Sequence, residues 1–337
     1  MLFLKPNKEI RTDRDQVGRG GSSRLRRSAS IPILLSLAWV IGVSFGPLKA
    51  QQVDSARGAH EREFWRGIVK NHYAVPPGQD PFPLAQELSG YLGSTDAELR
   101  DDLAYSILNT WIAEQRRLSS EQLLTFLEKW QANLRVGIGE VGTDSVFLRA
   151  FSVIGLATLA ERDLKDPFLG RERFRTLLNN GLTYLHDERD LRGFDEKKGR
   201  MHATGHTADL LAELSRNRFF TRNDQERVLA AIAQRLATAD KIYTDGEQDR
   251  LANVAATVVA RQDFDRELWH AWVADIDKGD QAVFDESPPK LEAVRRFTND
   301  TYFLQAIFVE ISLRPATARS IAAKKTVLAV IRPRSAM

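Results

Sequence analysis

The 337-residue chain contains no cysteine, which excludes disulfides, thiol catalysis, zinc–thiolate sites and iron–sulfur clusters. Its 48 basic and 45 acidic residues give a net charge of +3, yet nine of the basic and three of the acidic residues lie within residues 1–50. The remaining 39 basic and 42 acidic residues carry a net charge of −3, and a mixed, mildly acidic surface argues against a nucleic-acid partner bound through its phosphates.

The N-terminus reads as a leader. Arg24, Arg26 and Arg27 precede an apolar run over residues 31–45, and Gly46-Pro47-Leu48-Lys49-Ala50 breaks it. A positive flank, an apolar core, then helix breakers and a small residue is the order of a secretory signal. The expectation is an exported protein, periplasmic or extracellular. The run is shorter than the roughly 20 residues a membrane helix needs. Leu48 and Lys49 are unusual beside a cut site, so the alternative is an uncleaved anchor, with residues 31–45 as the chain's only membrane contact.

Beyond residue 51 the chain reads as helix after helix. Apolar residues recur at spacings of three and four over 64–72, 84–92, 97–114, 121–134, 145–161 and 171–186, and again over 202–215, 224–239, 247–261, 265–276 and 291–311. Leu123, Phe126, Leu127 and Trp130 are one such stripe. Ser94-Thr95-Asp96 and Ser119-Ser120 open helices, and Asp245 to Gln248 has the spacing of a capping box. The best strand-like segment is 326–331. The expected organisation is a signal peptide or anchor at 1–50, an N-terminal helix and linker at 51–83, an all-helical domain at 84–313, and a C-terminal tail at 314–337. Elements of about 10–20 residues joined by short linkers pack as antiparallel pairs. The expected fold class is therefore all-α, with stacked antiparallel helix pairs in a HEAT-like superhelix or an α/α toroid.

Three stretches could carry chemistry. Gly137, Gly139 and Gly142 match the G-x-G-x-x-G of dinucleotide loops, but a helix rather than a strand precedes them, so an interhelical turn is expected. Ser145, Arg149 and Ser152 share a helical face without the elbow of a hydrolase nucleophile. His202, His206 and Asp209 fall on one helical stripe. Two imidazoles four residues apart and a carboxylate can hold one divalent metal ion such as zinc. Ala203 stands where a zincin has its glutamate, so Glu188, Asp190 and Arg192, in a tight turn just upstream, are the candidate catalytic groups, and Glu247 and Asp249 open another helix that could approach. The structural alternative is a polar tether in which a buried histidine donates to a backbone carbonyl and Asp209 holds Arg192 in a buried pair.

The order of GIGE…DSVFLRAFS, YLHDERDLRGFDEKKGRMHATGHTADLLAEL and EQDRLA resembles an uncharacterised bacterial family, domain of unknown function 2785, over about residues 84–313. Where that family usually shows Gly-Trp-Ala-His, this chain has Gly199-Arg200-Met201-His202, which keeps His202, His206 and Asp209 and lacks the ring. The resemblance implies an all-helical body and supplies no activity. The leading expectation is a binding or scaffold array for an unknown protein or envelope ligand. The alternative is a metal-dependent hydrolase of the cell envelope using His202, His206 and Asp209. A weaker one is an α/α-toroid enzyme acting on a glycan through Glu188, Asp190 and Glu247.

Overall fold

A computed structural model of the protein describes residues 60–334 except 281, 282, 284 and 286; the expected leader and anchor lie outside the described residues. The helices, in chain order, are α1 (Arg62–Lys70), α2 (Pro81–Gly90), α3 (Ser106–Asn109), α4 (Ser120–Asn133), α5 (Ser145–Lys165) and α6 (Gly170–Asp187), followed by α7 (Ala203–Arg216), α8 (Arg222–Ala237), α9 (Glu247–Ala260), α10 (Arg266–Asp280), α11 (Leu291–Ser312) and α12 (Ala318–Arg334). The short α3 sits between two π-helical stretches, Glu98–Tyr105 and Thr110–Glu114, in one helical run. A two-stranded antiparallel hairpin, β1 (Phe194–Asp195) and β2 (Gly199–Arg200), interrupts the helices. The chain is all-α.

Local chemistry places the helix starts. Asp80 accepts the Phe82 amide at 2.9 Å, with Pro81 at the first helical position. Ser119 with Gln122, and Thr221 with Asp224, close capping boxes. The box expected at Asp245–Gln248 does not form. Gly246 takes φ 88° at the start of α9, and Gln248 donates instead to the Tyr243 carbonyl at 3.0 Å. The strand-like reading of 326–331 is also corrected. These residues lie in α12, where the buried Ser320, Ala323 and Val327 recur at spacings of three and four.

Packing proceeds from one helix pair to the next. α5, α7, α9 and α11 form an inner layer in which each packs on its successor. Outside them, α4 packs on α5, α6 on α7 and α8, and α10 on α8, α11 and α12. The helical run around α3 packs on α5 at one end, and α12 packs on α10 and α11 at the other. Among the described residues the helical run around α3 shares no comparable contact with α11 or α12. α5 is enclosed nearly all round: from Val146 to Ala160 only Leu148 is not buried, which is why its sequence is apolar on every face. Among the described residues no helix is long and apolar enough to cross a membrane.

α4 and α5 approach each other closely where Trp130 faces Gly155. Trp130 is fully buried and donates its indole N–H to Ser89 Oγ at 2.9 Å. A Cβ on Gly155 would lie 2.9 Å from the same indole, closer than packed atoms tolerate. Gly155→Ala is therefore expected to destabilise the protein by about 1–3 kcal/mol from overpacking. Gly67→Ala, in α1 with nothing near the added methyl, should stabilise by about 0.5–1 kcal/mol. Equilibrium denaturation of the two variants reads both signs.

Candidate functional site

The sequence-predicted residues gather where the inner helices begin. Arg149, near the start of α5, and Glu188, just past α6, are both buried. Arg149 Nε donates to Glu188 Oε2 at 2.6 Å and Nη2 to Oε1 at 3.1 Å. Its Nη1 donates to the carbonyls of Val136 and Gly137 at 2.9 and 2.8 Å and to Ser145 Oγ at 2.8 Å. Glu188 also accepts the Tyr184 hydroxyl at 3.0 Å and the Asp190 amide at 2.9 Å. Arg235, from α8, donates to the main-chain carbonyls of Leu185 and Glu188. Burial opposes the charge on Arg149, but its hydrogen bonds and attraction to Glu188 outweigh that and raise its pKa. Both oxygens of Glu188 are engaged, which makes it a brace between helices.

Asp190 is likewise enclosed. Oδ1 accepts from the Arg192 amide at 3.1 Å and Nε at 2.9 Å; Oδ2 accepts from Arg192 Nη2 at 2.6 Å and the Gly142 amide at 3.0 Å. Burial alone would push its pKa up; these donors reverse that and hold it below the ordinary aspartate value. Arg192 Nη2 reaches on to the Thr143 carbonyl at 2.7 Å. The glycine loop between α4 and α5 is thus pinned at both ends, by Arg149 at Gly137 and by Asp190 at Gly142. Gly137, Gly139 and Gly142 all have positive φ, as a tight interhelical turn requires.

His202 precedes α7 in the left-handed region at φ 54° and is 3 % exposed. Its ring lies over Gly205: a Cβ there would be 2.6 Å from Nε2. That Nε2 is buried and has no hydrogen-bond partner. The His202 and His206 rings are 5.5 Å apart. His206 Nδ1 lies 3.0 Å from the Ala150 carbonyl; a carbonyl only accepts, so Nδ1 carries the proton and Nε2 the lone pair. Burial lowers both histidines' pKa, His202 to about 4, with Arg250 adding to the effect; for His206 the neighbouring His202 is the second cause. Asp209 turns away to Arg250 of α9, whose Nη1 meets Oδ1 and Oδ2 at 2.7 and 2.6 Å. Burial raises the Asp209 pKa and Arg250 opposes it. The structure therefore brings the two imidazoles together and gives Asp209 an arginine partner; that partner is Arg250, not Arg192. Glu247 is buried at the start of α9, where it accepts the Asp245 amide at 3.0 Å. Among the described residues, no group of three or more His, Asp or Glu is arranged to hold a metal ion.

Two features escape the sequence reading. The fully buried Arg100 donates to the carbonyls of Ser94 at 2.7 Å, Lys198 at 2.7 Å and Arg200 at 3.1 Å, and stacks 4.2 Å over Phe147. It clamps the hairpin onto the first helical run, and nothing in the local pattern around it marks that role. The second is a cleft of about 950 Å3 at the far end of α7, walled by α7, α9, α11, the turn after α11 and the start of α12. α7 is roughly 20 Å long at 1.5 Å per residue, so cleft and histidines lie at opposite ends of one helix. Glu213, whose pKa is raised chiefly by burial, lines the cleft and pairs with Arg216 at 2.8 Å.

The profile of a family described as "Protein of unknown function (DUF2785)" matches residues 134–309, the span from the glycine loop to α11. No curated protein and no solved structure matches the chain.

The buried imidazole gives a pH signature. Above pH ~6.5, the ordinary histidine value, His202 is neutral in both folded and unfolded states and adds no pH dependence. Below it the unfolded chain takes up a proton that the folded state refuses until about pH 4. Stability is therefore lost as pH falls through this window, by up to about 3 kcal/mol. His202→Asn, which tolerates the left-handed backbone, should narrow the stability gap to the native protein as pH drops from 6.5 to 4. Urea denaturation at each pH checks this; a pH-independent gap would contradict it.

Proposed function

The chain belongs to the DUF2785 family, and we propose that it works as a helical binding or scaffold array rather than as a catalyst. The observation that carries this reading is the state of its candidate catalytic acids. Glu188, Asp190 and Asp209 each have both oxygens held by arginine or backbone donors. A general base needs a lone pair directed at a substrate proton and a pKa suited to accept it. Asp190 has neither: its oxygens are enclosed and its pKa is lowered. The same pairing weakens the glycan-enzyme reading through Glu188 and Asp190. What the pairs do accomplish is to lock α5, α6, α7, α8 and α9 together, which a binding surface built on stacked helices requires.

The leader reading places this array outside the cytoplasm, in the periplasm or beyond, or tethered by residues 31–45. Its ligand would then be a protein or another component of the envelope, and the body's net charge of −3 points away from nucleic acid.

One observation favours the second reading, a metal-dependent hydrolase. His202 Nε2 is buried without a partner, and the Ala150 carbonyl fixes His206 in the tautomer whose Nε2 could ligate a metal. Elemental mass spectrometry on the full chain, purified without chelators and offered zinc, manganese and iron, separates the two. The array reading expects far less than one metal per chain and a loss of stability in His206→Ala. Near-stoichiometric metal that disappears in His206→Ala would replace it with the hydrolase.

A further inference from the structure

Four arginines line the cleft at the C-terminal ends of α7, α9 and α11, and three of them already have carboxylate partners. Arg216 pairs with Glu213 at 2.8 Å, Arg261 with Asp263 at 2.7 Å, and Arg218 with Asp163 at 3.5 Å. Arg261 also donates to the carbonyls of Ser215 and Phe220 at 2.7 and 3.0 Å, so it closes the cleft's floor and has nothing left to offer.

Arg314 differs. It follows α11, and no carboxylate among the described residues lies within ion-pair distance of it. Its Nη2 donates only to neutral groups on α9: the Asn253 carbonyl at 3.3 Å, Asn253 Oδ1 at 2.6 Å and Thr257 Oγ1 at 3.0 Å. These three bonds fix the guanidinium in place and leave Nε and Nη1 without hydrogen bonds. Burial is the chief influence lowering its pKa; Glu310 opposes this from beyond ion-pair distance, and Arg216 adds to it. A half-buried, oriented, uncompensated cation beside a cavity is the arrangement that recognises an anion.

The surroundings limit which anion. Only one positive charge in the cleft is uncompensated, and the C-terminal ends of three helices contribute partial negative charge, which the single N-terminus of α12 at Thr317 and Ser320, its Ser320 amide already bound to Thr317 Oγ1, offsets only in part. A multiply charged phosphate would meet that opposing field and Glu213 as well. The cavity of about 950 Å3 far exceeds a lone carboxylate group, and Ala256, Ile311 and Pro315 supply apolar wall beside Arg314. We infer that this cleft binds a small organic monocarboxylate, its carboxylate on Arg314 and its apolar body along the wall between α9 and α11.

The inference deepens the binding-array reading and rests on it; failure of that reading would appear as bound metal, whereas failure here appears as indifference to the carboxylate. The test is calorimetric titration of the full-length protein with octanoate, with octanamide as its uncharged isostere, and with inorganic phosphate. Octanoate should bind at least tenfold more tightly than octanamide, and phosphate should not compete. Arg314→Gln should weaken octanoate at least tenfold and leave octanamide unchanged, while Arg314→Lys should retain part of the preference. The octanoate–octanamide comparison needs no variant, so it stands even if a substitution unfolds the chain. Equal binding of octanoate and octanamide, no binding of octanoate, tighter binding of phosphate, or full octanoate affinity in folded Arg314→Gln would each overturn the assignment.

Discussion

A guanidinium taken wholly out of water must find its hydrogen-bond acceptors inside the protein, and Arg149 finds its counter-charge there as well. Its answer is Glu188, held at two points. Neither charge would be stable at its position without the other: removing one partner of a buried pair costs about 3–5 kcal/mol because the survivor is stranded. The pair fixes more than two helices. Through Nη1 it sets the start of the glycine loop, and through the Glu188 main chain and Arg235 it engages α8. The segment from Glu188 to His202 leaves this node and carries Asp190, Arg192 and the hairpin before α7 begins. The orientation of the histidine stripe thus depends on an interaction that contains no histidine.

The two ends of α7 are built on different principles. At its start, charge is matched and enclosed: Asp190 with Arg192, and a turn further into the helix Asp209 with Arg250. The paired carboxylates there serve to position helices, and the desolvation they suffer is offset by hydrogen bonds to both oxygens. Past its last turn the helices separate enough to leave a cleft, and compensation becomes incomplete at Arg314. Unused donors beside open space belong to a surface that meets something else, and fully paired charges belong to a frame. That contrast distinguishes the two ends of the helix.

Helix positions were legible because amphipathic spacing is a local signal, and stripes such as Leu123, Phe126, Leu127 and Trp130 are all buried in the core. Local signals failed where tertiary contacts or glycine geometry took precedence. Asp245 to Gln248 has the spacing of a capping box, but Gly246 supplies its left-handed turn by another route. The apolar alternation at 326–331 is weaker than the longer helical period that buries Ala323 and Val327. The candidate residues were legible as a group, and their partners were not. Asp209 meets an arginine 41 positions away and Arg149 a glutamate 39 positions away, separations that only the stacking of successive helix pairs brings together. Arg314 sits in an ordinary interhelical turn, and its significance comes entirely from what fails to surround it.

Arrays of stacked helix pairs are commonly treated as one-dimensional, each unit coupled only to its neighbours, so that units fold and fray semi-independently. Arg100 does not respect that scheme. It ties the first helical run to carbonyls 98 and 100 residues further along the chain, across the three intervening helices α4, α5 and α6. Closing such a long loop is entropically unfavourable until the helices between are in place. The clamp therefore couples the order of the first helical run to that of the hairpin before α7. Helices joined in this way are expected to lose their order together rather than one at a time.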